Sequence, residues 1–214
     1  GIGENRIAKE GFALDRGRFG KHPVADLVVA WDPNPAREGA AKALGVGWST
    51  TGEAILDDPT IDAVVIASNN RTHAQWGKAA LEKGKHVLLE KPAGVNRKEV
   101  KELYELAKAK GLSLGVDHMM TKNEYNILAR DLIEKGELGD VSSIVLHMEF
   151  DYGLTPAEAA SWRCNDPLEL GGPIGDVGSH CFYMAEFLLG SKISELSCVY
   201  TPKTSDFNVE AGAY

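Results

Sequence analysis

The chain has 214 residues, with 23 Lys and Arg against 31 Asp and Glu for a net charge of -8. That balance speaks against nucleic acid and against an anionic membrane surface, since both select clustered cations. With 43% hydrophobic and 25% charged residues it reads as a globular protein of one or two domains. No apolar run approaches the roughly 20 residues of a membrane span, and the first residues lack the pattern of a signal peptide. Cys164, Cys181 and Cys198 are odd in number and not spaced as CxxC pairs, so neither a disulfide framework nor a metal site is expected. A cytoplasmic protein is the expectation, and the sequon Asn70-Arg71-Thr72 is then a chance match.

The chain opens on Gly1-Ile2-Gly3-Glu4-Asn5-Arg6-Ile7-Ala8, followed by a helix-like segment. A glycine pair of this kind normally joins a strand to a helix, where the backbone approaches a pyrophosphate. Here no strand precedes it, Arg6 stands at the third small position, and Ile7-Ala8 is displaced as if by an insertion. A tight turn is the plain alternative. Residues 24–30 predict a buried strand ending in Trp31-Asp32. A carboxylate there either takes the hydroxyls of an adenosine ribose or starts the next helix, since Pro33 and Pro35 are helix-start chemistry.

Residues 37–44 read as a short helix, 49–56 as a capped one, and 61–67 as a buried strand ending in Ser68-Asn69-Asn70. A helix over 73–83 follows. Val87, Leu88 and Leu89 then form a short apolar strand that terminates in Glu90-Lys91-Pro92. The carboxyl ends of parallel strands are where ligands bind in open α/β sheets; Lys91 either snorkels at the surface or is aimed into a cleft. Val100, Leu103, Tyr104 and Ala107 recur at helical spacing, Gly111 ends that helix, and 112–116 is another strand. Alternating strands and helices predict a doubly wound parallel sheet.

The texture changes near Asp117. Tyr125, Leu128, Leu132 and Ile133 predict a long amphipathic helix closed by Gly136 and Gly139. Residues 144–150 alternate with a period of two, as do Leu196, Cys198 and Tyr200, which predicts a largely antiparallel sheet. Between them Gly171-Gly172-Pro173 leads into Asp176-Val177-Gly178-Ser179-His180 and an apolar helix to Leu189. Asp176 and His180 are four apart, hence on one helical face. They read either as a carboxylate steering a general base or as an ordinary helix start.

Gly1-x-Gly3, Ser68-Asn69-Asn70-x-x-His73, Glu90-Lys91-Pro92, Trp162-Arg163, Gly171-Gly172 and Asp176-x-Gly178-x-His180 stand in the order found in the Gfo/Idh/MocA oxidoreductases, the glucose-fructose oxidoreductase and inositol dehydrogenase family, which the chain resembles over nearly its whole length. The resemblance implies a Rossmann-type dinucleotide-binding domain over 1–118. It implies an α+β substrate-binding and oligomerisation domain with a largely antiparallel open sheet over 119–214. By the same resemblance Lys91, Asp176 and His180 are the catalytic residues. Gly1, Gly3, Arg6, Ile7, Asp32, Ser68, Asn70, His73, Glu90 and Lys91 meet the dinucleotide, while Lys91, Trp162, Arg163, Asp176 and His180 meet a sugar or polyol substrate.

The implied reaction is hydride transfer between NAD and a hydroxyl or carbonyl, in a homo-oligomer. NADP stays possible, although Asp32 would repel its 2′-phosphate and the nearest arginine is Arg37. An NAD-dependent redox-assisted glycoside hydrolase and a non-catalytic NAD-binding module are the competing readings on the same fold. The chain departs from the pattern in lacking the first strand and in carrying Asp117-His118-Met119-Met120 where an arginine is common. It therefore reads as a fragment, whose sheet should be broken between the strands at 24–30 and 61–67. The Lys91-Pro92 bond is expected to be cis.

Overall fold

A computed structural model describes residues 2–20, 24–201 and 207–214. The chain folds as two compact units, each drawn from several stretches. The first comprises Gly1–Ala67, Gln75–Leu89 and Glu102–Gly115; the second comprises Ser68–Ala74, Glu90–Lys101 and Val116–Tyr214.

The first unit opens with a π-helix, Gly3–Gly11. Its turns are wider than those of an α-helix, and such turns concentrate at functional sites; the extra length before Ile7-Ala8 is taken up in them. Strand β1, Val29–Ala30, is followed by the 3₁₀ turn Pro35–Arg37 and helix α1, Glu38–Ala43. Strand β2, Gly47–Trp48, pairs with β1 in parallel. The strand expected over 24–30 is thus only two residues long, and Val24 is 87% exposed. Ladder bonds hold a strand in place, and β1 has them on one side only.

Helix α2, Gly52–Asp57, starts on Thr51, whose hydroxyl accepts from the Ala54 amide at 3.2 Å. Ser49, the expected start, instead donates to the Thr51 carbonyl. Then come β3, Ala63–Ile66; α3, Asn70–Glu82; β4, His86–Leu89; α4, Arg97–Lys110; and β5, Leu114–Val116. The three strands form one sheet in the order β3-β4-β5, with β3 and β4 parallel. Among the described residues no ladder joins β1 to β3, so the sheet is divided at the expected place.

The core of this unit lies between α3, β4 and α4. Ala80, Leu81 and Leu89 are fully buried, and Leu103 and Ala107 nearly so. Gly77 permits the approach, because a Cβ there would stand 3.1 Å from Leu103 Cδ2 and 3.5 Å from Leu89 Cδ2. Each buried leucine contributes about 1.5–3 kcal/mol. An exposed ion pair such as Lys83–Asp57 contributes about 0–1 kcal/mol, so packing dominates. Lys85 is buried but satisfied: its ammonium donates to the carbonyls of Asp58 at 2.5 Å and Ile61 at 2.7 Å.

The second unit is mainly helical. It holds α5, Glu124–Glu134; α6, Pro156–Ala159, with a capping box between Thr155 and Glu158; and α7, Trp162–Asn165. A second π-helix, Ile174–Gly178, runs into α8, Ser179–Leu189. Arg130 of α5 lies over the Phe187 ring of α8 at 4.9 Å. The antiparallel sheet expected over 144–150 and 196–200 is not formed. Among the described residues there is only an isolated bridge, Tyr200 to Ala213. Alternation gives a segment two faces, but a strand also needs a hydrogen-bonding neighbour. Without one, Val145 and Phe150 are 88% and 67% exposed.

Candidate active site

β4 ends at Leu89 and hands over to Glu90, Lys91 and Pro92, with the Lys91-Pro92 bond cis as expected. In the second unit His73, 1% exposed, sits between two backbone carbonyls. Its Nδ1 is 2.7 Å from Pro92 O and its Nε2 3.1 Å from Ser68 O. A neutral imidazole carries one N–H, so the ring donates to one of the two carbonyls at a time, and both nitrogens face backbone. His73 thereby staples the Pro92 turn to the Ser68 turn.

Lys91 donates twice to Asp176, to the backbone carbonyl at 2.5 Å and to Oδ1 at 2.9 Å. Asp176 Oδ2 accepts from Arg163 Nε at 2.8 Å. The guanidinium of Arg163 lies 4.4 Å from the Trp162 ring and 5.8 Å from that of Tyr152, so the aromatic rings hold it by cation–π contact. Burial pushes the Asp176 carboxyl up, but the charges and hydrogen bonds of Lys91 and Arg163 outweigh it and hold the group below its usual range.

One of the two readings of the sequence paired Asp176 with His180, but the hydrogen bonds of Asp176 go to Lys91 and Arg163. Both carboxylate oxygens face cations, and the π-turn removes the simple four-residue phase on which that pairing relied. Gly175 is required here, because a Cβ would collide with the Leu170 carbonyl. Gly172, at φ +91°, would press a Cβ onto the Glu210 carboxylate, which accepts from the Ile174 amide at 3.1 Å.

His180 is half-buried in the first turn of α8. Burial, then the charge of Lys91, pull its pKa down, with Asp176 and Asp117 opposing. His118, which directly follows β5 and Asp117, stands edge-on to His180 with ring centroids 6.2 Å apart, and stacks on Tyr183 at 4.1 Å. Its Nδ1 is buried without a hydrogen-bond partner among the described residues, and burial followed by His180 and Lys91 lowers its pKa. Burial and the Asp117 carboxylate push Glu90 up, against the amide and charge of Lys91. His118, Asp117 and Tyr183 were not foreseen. The signal for the first two was their place after a parallel strand, the same rule that singles out Lys91.

Asn70 is buried, and its amide donates to the Glu169 carbonyl at 2.6 Å. Glu169, itself buried, accepts from the Arg71 amide and Nε at 3.1 and 2.8 Å, capping the start of α3. Ser68 remains exposed, with its hydroxyl accepting from Thr72 Oγ1 at 2.8 Å.

In the first unit, Gly1 lies outside the described residues. At Gly3 a Cβ would meet only Ala67 Cβ, at 4.0 Å, so packing does not demand a glycine and the open backbone fits a phosphate group. Ile7 is half-buried within the π-helix. The exposed guanidinium of Arg6 pairs with Glu10 of the same helix at 2.8 Å. Asp32 Oδ1 accepts from the Asn34 amide at 2.8 Å, while Asn34 itself caps the next turn. Asp32 Oδ2 has no partner among the described residues, which fits a ribose hydroxyl.

Parallel strands alternating with helices and an acidic residue after β1 define a Rossmann-like α/β protein. A family profile described as "Oxidoreductase family, NAD-binding Rossmann fold" matches residues 6–118, and the "GFO/IDH/MocA C-terminal domain" matches 127–214. The chain belongs to the Gfo/Idh/MocA oxidoreductase family. It is 33% identical over 169 residues to levoglucosan dehydrogenase of Pseudarthrobacter phenanthrenivorans, covering 78% of this chain and 43% of that protein. To scyllo-inositol 2-dehydrogenase (NAD(+)) of Bacillus subtilis it is 32% identical over 179 residues, covering 82% and 49%. A levoglucosan dehydrogenase solved with NADH and levoglucosan superposes with a TM-score of 0.75 at 26% identity, over 94% of this chain and 54% of that one. The chain spans about half the length of the curated relatives it matches.

Proposed function

We propose that the protein is an NAD-dependent oxidoreductase that transfers a hydride between a nicotinamide dinucleotide and a sugar or polyol hydroxyl or carbonyl. The observation that carries this reading is the double hydrogen bond from Lys91 to Asp176, in the same unit as a His180 poised to be neutral. Relatives named for levoglucosan and scyllo-inositol support the substrate class. In the first unit, Gly3 and the Asp32 carboxylate suit the phosphate and ribose of the dinucleotide. NAD is favoured over NADP because the Asp32 charge repels a 2′-phosphate.

The bound dinucleotide supplies the hydride acceptor; all else falls to side chains. An ammonium has three N–H donors, and Lys91 has two of them on Asp176, so the third is available to the reacting oxygen. His180 takes the hydroxyl proton as the carbon gives up hydride. Asp176 fixes Lys91, and Arg163 on its Trp162 ring fixes Asp176. A cytoplasmic setting accords with three free cysteines, and a homo-oligomer with the exposed Val145, Leu154, Leu196 and Val199.

The test is nicotinamide reduction across a panel of sugars and polyols that includes levoglucosan and scyllo-inositol. General acid–base catalysis contributes about 10²–10⁴-fold; His180→Ala should lower turnover by that factor while NADH still binds. A panel that stays silent with wild-type protein would sink the proposal.

A further inference from the structure

Glu4 directly follows Gly3 in the first turn of the opening π-helix. Its carboxylate accepts from Lys9 Nζ at 2.8 Å through Oε1 and from the Arg37 guanidinium through Oε2. Arg37 closes the 3₁₀ turn that begins just after Asp32. The Glu4–Arg37 pair therefore ties the start of the opening helix to the loop after β1, within one compact unit. These are the two places where a dinucleotide-binding fold meets the pyrophosphate and the adenosine ribose.

A carboxylate beside an incoming pyrophosphate is unfavourable by charge alone. Two cations against one carboxylate reverse that sign and leave the turn with a single net positive charge. An arginine near the strand-end carboxylate is also the group that accommodates a 2′-phosphate, because its planar fork matches phosphate oxygens. Arg37 is in that neighbourhood, but its guanidinium is already occupied.

We propose that Glu4 is a specificity-determining residue: by holding the Arg37 guanidinium it withholds that group from a 2′-phosphate and strengthens the preference for NAD. The proposal rests on the dinucleotide-binding reading above. Hydrogen bonds from Lys9 and then Arg37 keep the Glu4 carboxyl below its usual range, so the lock is charged at neutral pH.

The experiment is titration of wild type, Glu4→Gln, Arg37→Ala and the double variant with NADH and NADPH. Quenching of tryptophan emission reports binding, with Trp31 adjacent to Asp32. Loss of the Glu4 charge favours both dinucleotides at the pyrophosphate, so the ratio of their affinities is the readout. In Glu4→Gln that ratio should move toward NADPH by about tenfold, the size of one hydrogen bond to a charged group. Arg37→Ala alone removes one positive charge from the turn and weakens both dinucleotides alike, so it should change the ratio of their affinities by less than about twofold, and it should abolish the gain in the double variant. An unchanged ratio in Glu4→Gln overturns the lock, as does a large shift of the ratio toward NADH in Arg37→Ala alone. A wild type that binds neither dinucleotide overturns the functional reading, and the lock with it.

Discussion

Lys91 bonds to both the backbone and the side chain of Asp176, 85 residues away, at 2.5 and 2.9 Å. A carbonyl oxygen has two lone pairs, and in the wide turn Ile174–Gly178 one of them is open to a side chain from outside the helix. The chain thus fixes the ammonium from two directions and leaves one N–H free. Asp176→Asn keeps the shape and the carbonyl contact but removes the charge between Lys91 and Arg163. Turnover should fall by roughly 10- to 100-fold, the loss expected of hydrogen bonds to a charged group, with NADH affinity nearly unchanged. An Asp176→Asn enzyme with native kcat would show that the carboxylate does not position Lys91.

His73 makes a prediction of a different kind, since it touches no reacting atom. His73→Phe fills the buried site but removes the ring N–H that one of the Pro92 and Ser68 carbonyls accepts. Leaving a buried acceptor unsatisfied costs about 1–3 kcal/mol, read as a lower midpoint in urea unfolding. Because the Pro92 turn carries Lys91, kcat should drop as well, while His73→Gln, which retains a donor, should recover part of both. Equal behaviour of the two variants would remove the staple from the account.

Much of this arrangement was legible in the sequence because it depends on local pattern. Lys91 follows a four-residue apolar strand, and the parallel alternation up to Val116 is periodic enough to read directly. Arg163 and Asp176 were singled out as well, but their mutual contact depends on a π-turn, and no residue periodicity encodes that. His73 and Asn70 sit in motifs that suggest ligand contacts, and only burial showed that both face backbone carbonyls. The alternation at 144–150 was real as a pattern and wrong as a strand, because pairing is a property of two segments. His118 carries no motif of its own; only its place just after β5 marks it.

Leu89 tests the core independently of any chemistry. It is fully buried and lies within 3.5 Å of the position a Cβ would occupy on Gly77. Leu89→Ala should destabilise the protein by about 2–5 kcal/mol, the transfer and cavity terms together. Gly77→Ala should also destabilise, by about 1–3 kcal/mol, through overpacking against Leu103 and Leu89. Chemical denaturation of both variants checks this. A neutral Gly77→Ala would mean that α3 can shift away from β4 at little cost.

The pH dependence follows from the sign of the His180 shift. Burial first, and the Lys91 charge second, depress its pKa below the ordinary value of 6.5, while Asp176 and Asp117 resist. Oxidation requires the neutral imidazole, so kcat/KM for the oxidation should rise with pH and level off, with its midpoint below 6.5. Stability follows the same direction. The unfolded chain binds the proton at a higher pH than the folded one, so the stabilising contribution is present above the unfolded value and is lost as pH falls through the folded one. His118 is lowered as well and adds to the same acid-side loss. Lys91→Met removes the cation that lowers the His180 pKa and leaves the opposing charges of Asp176 and Asp117, so the His180 titration should move to higher pH. Histidine NMR signals followed through a pH series would measure that shift without relying on turnover. A titration in Lys91→Met at or below the wild-type midpoint would mean that Lys91 does not set the charge of His180, and the proposed pairing of the two in catalysis would fail with it.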